Sequence, residues 1–148
     1  MKSARVALLA LPTIALTALG LSGCAPAATP TSVASDNYGG LPKGFGEDVG
    51  AGDMEGPLVM WLDEGSSISV TTWGSSGCPA ILTEINAVDA QTLDLQYLEA
   101  TAYPDQACTA DYAPHTSEID LPDDATGTPL TVTVSFDGEE PRASVVLD

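Results

Sequence analysis

Positive charge is almost missing from this sequence. Four Lys and Arg stand against 21 Asp and Glu in 148 residues, for a net charge of −17. Phosphate backbones are gripped by clustered basic side chains, so nucleic acid is excluded as a partner. A basic patch for anionic lipid is excluded on the same ground. Histidine occurs once and cysteine three times, too few for a multi-ligand zinc or iron–sulfur site. The length suits one domain of ordinary size.

What is there begins with an address. Lys2 and Arg5 precede a stretch from Val6 to Leu21 that carries no charge and is mostly Ala, Leu, Ile and Val. A charged n-region followed by an apolar h-region is the layout of a secretory signal. A retained transmembrane helix is the alternative. The apolar stretch falls short of the roughly 20 residues that span a bilayer, and Pro12 interrupts it.

The stretch ends in Leu21-Ser22-Gly23-Cys24, which resembles the lipobox of bacterial lipoproteins at all four positions. The resemblance covers residues 1–24. It implies that the signal peptide is 1–23, that Cys24 becomes the first mature residue, and that its sulfur carries a diacylglycerol. It further implies a cell-membrane protein facing outside the cytoplasm, since two acyl chains anchor stably where one does not. An ordinary signal peptide with a chance cysteine is the competing reading.

With Cys24 lipidated, Cys78 and Cys108 remain. Outside the cytosol two cysteines are expected to form a disulfide. A pair of thiols holding a soft metal is the alternative, and no CxxC spacing supports it.

Residues 24–56 read as the lipidated cysteine and a disordered, flexible linker. Ala, Pro, Thr, Ser and Gly dominate, with no sustained apolar periodicity to offset the entropy of ordering. Such a tether of about 32 residues would span roughly 30 Å as a coil. Residues 57–148 read as an extracytoplasmic β-domain. Leu58–Leu62 and Ile68–Trp73 flank Asp63-Glu64-Gly65 as a hairpin. Leu93, Leu95 and Tyr97 share one face of a run, as do Leu130, Val132, Val134 and Phe136 of another. Ala143, Val145 and Leu147 alternate in a last strand. Residues 80–90 fit either a helix, by the spacing of Ile81, Leu82, Ile85 and Val88, or a strand by alternation, with the hairpin favoured. The count is about seven short strands, which predicts an all-β fold, a small antiparallel sandwich or barrel with one disulfide. Trp61, Trp73, Tyr97 and Phe136 are expected in its core.

Trp73-Gly74-Ser75-Ser76-Gly77-Cys78-Pro79, Ala107-Cys108-Thr109-Ala110-Asp111 and the closing Val-x-Val strand resemble small uncharacterised secreted envelope lipoproteins of actinobacteria. There the first segment commonly reads Gly-Ser-Ser-Ser-Cys-Pro; Gly77 here replaces a serine. The resemblance supports the disulfide and the β-domain and implies no activity.

Catalytic signals are thin. Gly74-Ser75-Ser76-Gly77-Cys78 approaches a nucleophile elbow but ends in Cys. His115 would be the one available base for a hydrolase. A turn held by serine hydroxyls is the favoured reading. Carboxylate pairs for glycoside hydrolysis need a fixed separation that sequence does not give. Calcium is a weaker cofactor candidate, at Asp137, Glu139 and Glu140 or at Asp123 and Asp124, without EF-hand spacing. Copper at Met54 and Met60 has less behind it. The sequence therefore points to no enzyme and no catalytic residue. It points to a non-catalytic module binding an envelope protein, a glycan or a cationic partner, with a structural surface-charge protein or a hydrolase as alternatives. After cleavage, the domain carries 16 acids against Arg142.

Overall fold

A computed structural model describes residues 29–45, 56–125 and 127–148. The expected signal peptide 1–23, Cys24 and Met54 lie outside the described residues. Eight strands form among them: β1 (Asp36–Gly39), β2 (Leu58–Asp63), β3 (Ser67–Gly74), β4 (Ile81–Asp89), β5 (Thr92–Leu98), β6 (Ala113–Asp120), β7 (Leu130–Phe136) and β8 (Ala143–Leu147). No α-helix occurs among the described residues; one 3₁₀ turn covers Ala100–Ala102.

The strands make two four-stranded sheets, ordered β1-β6-β3-β2 and β4-β5-β7-β8. They pack as a small sandwich. The first sheet gives Val59, Ile68, Val70 and Ile119 to the core; the second gives Leu82, Leu93, Leu95, Val132 and Val134 with Tyr97 and Phe136. The period-2 pattern dictates this, because every second side chain of β5 and β7 points to one face. Tyr97 and Phe136 are neighbours, 5.6 Å between ring centroids. Trp61 packs half-buried against the same cluster, its Nε1–H donating to the carbonyl of Asp148 at 3.3 Å.

Residues 80–90 are a strand, and β4–β5 is a hairpin. The helical spacing arises because β4 is bulged. Register shifts at Leu82/Glu84 and Ala87/Asp89 break its alternation, leaving Leu82 buried and Val88 exposed.

Two features depart from the sequence reading. First, the fold recruits part of the stretch assigned to the linker 24–56. Val33 N–H donates to the Leu82 carbonyl at 2.9 Å and Ser35 N–H to Glu118 at 2.9 Å, so this segment bridges the edges of the two sheets. β1 then runs antiparallel to β6, Tyr38 Oη donates to Glu118 at 2.9 Å, and the Lys43 ammonium lies 5.4 Å from the Tyr38 ring centre. The Gly40 carbonyl accepts from Thr116 Oγ1 at 2.7 Å, which ties the start of the 40–45 turn to the sheet. Asp36, Asn37 and Tyr38 carry no apolar alternation. Backbone pairing and polar contacts hold them, and those leave no periodic signal. Second, the sheets are not all antiparallel: β5 and β7 pair in parallel. The chain leaves β5, crosses to β6 in the other sheet and returns. Alternation fixes which face a residue occupies but not the direction of its neighbour.

Candidate functional site

β3 and β6 lead to one end of the sandwich, and the Cys78–Cys108 disulfide pins it. The turn after β3 is held by its own hydroxyls. Thr109 Oγ1 accepts from Gly77 N–H at 3.0 Å and lies 2.8 Å from Ser75 Oγ and 3.2 Å from Ser76 Oγ. It donates to Asp111 Oδ1 at 2.5 Å, which also accepts from Ser76 N–H at 3.0 Å. The Ser76 side chain first, then the Thr109 hydroxyl and the Ser76 N–H, hold the Asp111 carboxyl down to about 2. Gln106 Nε2 donates to Gly77 O, and Tyr103 Oη to Pro79 O, each at 2.9 Å. The serine-rich turn expected from sequence is therefore built, and Thr109 and Asp111 are its unforeseen centre.

Two hollows open at this end, and Thr72 of β3 lines both. The first, about 280 Å³, brings together Ser75, Ser76 and His115. His115 stands opposite Thr72 on one side and Gly39 on the other. Burial pushes its imidazole below the ordinary value. Among the described residues, neither serine hydroxyl nor Asp111 is hydrogen-bonded to His115; all three are engaged in the turn. The nucleophile–base and base–acid bonds of a triad are not formed.

The second hollow, about 410 Å³, is lined by Trp73, Tyr112, Phe136, Arg142 and Glu99 beside Thr72. Arg142 lies over the Phe136 ring, 4.3 Å from its centre. Its Nη2 donates to Glu99 Oε2 at 3.0 Å. Tyr112 is 61% exposed, whereas Trp73 is 9% exposed and, among the described residues, its Nε1–H is buried without a partner. Sequence reasoning placed Trp73 and Phe136 in the core and passed over Tyr112 and Arg142. The available signal was the isolation of Arg142 as the one cation of residues 57–148.

The calcium candidates do not converge. Asp137, at φ 52°, accepts from Glu99 N–H at 3.1 Å and from Thr101 Oγ1, tying the loop after β5 to the turn after β7. Glu139 and Glu140 line a shallow groove with Asp94 on the outer face of the second sheet. Asp123 and Asp124 sit in the β6–β7 connection. Among the described residues, no three His, Cys, Asp or Glu are grouped to hold a metal. Met60 lies in β2.

Comparison with protein-family models, with curated proteins and with solved structures found no match.

Proposed function

We propose that the chain is a lipid-anchored extracytoplasmic protein whose β-sandwich is a non-catalytic binding module working through its disulfide-pinned end. The observation that carries the binding role is the second hollow, which places the domain's one arginine among Trp73, Tyr112 and Phe136. Concave sites with aromatic walls and a few convergent polar groups are where proteins take ligands. The anchor rests on Leu21-Ser22-Gly23-Cys24. Among the described residues, the first backbone bond to the sandwich is at Val33, nine residues past Cys24. At roughly 3.3–3.6 Å per residue the leash reaches about 30 Å fully extended. The module thus works close to the bilayer, and its acidity keeps it from lying flat on anionic lipid.

Two measurements test this. Cys24→Ser should release the protein to the medium; retention in the membrane fraction refutes the anchor. A photo-crosslinking residue at Tyr112 should capture a partner on intact cells, whereas one at Val146, exposed on β8, should not. Equal capture at both positions refutes this end as the binding end.

One observation favours a second reading, a hydrolase: Ser75, Ser76 and His115 line one hollow. It requires turnover of an ester by the purified chain that Ser76→Ala abolishes.

A further inference from the structure

We infer that the hollow of Trp73, Tyr112, Phe136 and Arg142 takes an uncharged sugar ring of a polysaccharide. The inference rests on the binding-module reading and names the ligand class. Charge comes first. Residues 57–148 carry 16 acids against one arginine, so an anionic ligand approaches against a strong like-charge field. Arg142 stands in the hollow, so a cationic ligand meets a positive group there. Arg142 and Glu99, 3.0 Å apart, cancel locally. The hollow therefore suits a neutral ligand rich in both donors and acceptors.

Shape and chemistry agree. Tyr112 presents an exposed aromatic ring at the rim, the surface on which the apolar face of a sugar stacks. Arg142 and Glu99 are planar polar groups. The guanidinium has five N–H donors, one of them directed at Glu99 Oε2, and among the described residues the other carboxylate oxygen has no partner. Neighbouring hydroxyls of a sugar, each donor and acceptor, match such a pair. Phe136 fixes Arg142 from beneath at 4.3 Å, so little side-chain entropy is lost on binding. Among the described residues, Trp73 Nε1–H is buried and unpaired, in a side chain that lines the hollow. A hollow of about 410 Å³ lies within the ordinary range for ligand sites.

The chain has two tryptophans, and both indole N–H signals serve as reporters. Trp73 lines the hollow, while Trp61 bonds Asp148 away from it. The full chain, ¹⁵N-labelled at tryptophan and held in detergent, is titrated separately with maltohexaose, mannohexaose and galactohexaose. The expected result is a saturable shift of the Trp73 signal with at least one of them, and a still Trp61 signal. Tyr112→Phe keeps the response, and Tyr112→Ala weakens it about tenfold, the scale of one lost aromatic contact. Tyr112 is exposed, so its loss leaves the core intact. No Trp73 shift with any of the three overturns the sugar assignment. So does a shift that Tyr112→Ala leaves unchanged. If the sugars fail while the crosslinker at Tyr112 captures a protein on cells, the sugar assignment falls and the binding module stands. If both fail, both readings fall.

Discussion

Tyr97→Phe is the sharpest probe of the energetics. The Tyr97 ring is 1% exposed between the two sheets, and among the described residues its hydroxyl has no hydrogen-bond partner of ordinary geometry. A buried polar group left unpaired costs about 1–3 kcal/mol. Removing the oxygen lifts that cost and leaves a void too small to cancel the gain. The variant should be more stable than the parent by about 1 kcal/mol at pH 7, a rise in Tm of roughly 4 °C. Alkaline pH separates the two further. Burial drives the Tyr97 phenol far above its ordinary value, with the Ser117 hydroxyl pulling the other way. In the unfolded chain the phenol ionises near pH 10. Below that pH the raised native value costs nothing. Above it the unfolded chain sheds a proton that the native protein keeps, and stability falls by about 1.4 kcal/mol per pH unit. By pH 11.5 the parent should have lost about 2 kcal/mol through this one group. Tyr97→Phe should not show that part of the loss, while the other tyrosines contribute equally to both proteins. Urea midpoints from pH 7 to 11.5 measure the difference. Parallel curves for the two proteins, or a variant more than about 1 kcal/mol weaker at pH 7, would refute the reasoning by showing a hydroxyl well paired in the native state.

The remaining predictions concern covalent and backbone constraints. Replacing Cys78 and Cys108 by Ser opens a loop with a separation of 30 residues and should cost about 3.6 kcal/mol in the loop-entropy account; a urea midpoint that barely moves contradicts it. A fragment of residues 57–148 loses β1, the Tyr38–Glu118 bond and the cover on Thr116. It should be weaker than 29–148 by at least about 2 kcal/mol, and equal stability would return residues 29–45 to the tether. Gly127→Ala places a Cβ 2.6 Å from the Ala90 carbonyl oxygen and 2.6 Å from Gln91 Cγ. Backbone must move there, at a cost of about 1–3 kcal/mol, whereas Gly74→Ala meets nothing within 4 Å and should be near neutral in the same melt.

The β-fold was legible where alternation is clean. In β5 and β7 the residues chosen from sequence as core-facing are those the sandwich buries. The Cys78–Cys108 bond followed from cysteine count once Cys24 was set aside. The hollow was not legible, because its residues come from the end of β3, the loop after β5, the approach to β6, the end of β7 and the turn before β8. No spacing along the chain records that meeting. Trp73 and Phe136 are buried as the sequence led one to expect, but an aromatic at the end of a strand has the same local signature whether or not part of it also lines a cleft.

Sequence by itself determined three things. Side-chain period sets face, so where alternation is clean, as in β5 and β7, the apolar pattern set the strands and their buried sides. The excess of acid over base set the sign of the field around the domain. The cysteine count left two thiols to pair. The tertiary structure decided the rest. It drew β1 out of a polar stretch, because backbone donors and acceptors at the edge of β6 pair with any strand of suitable length. It set β5 beside β7 in parallel, because strand direction carries no side-chain signal. And it laid the domain's one arginine on Phe136 beside Tyr112 and Trp73, because sites are made by contacts between residues far apart in the chain.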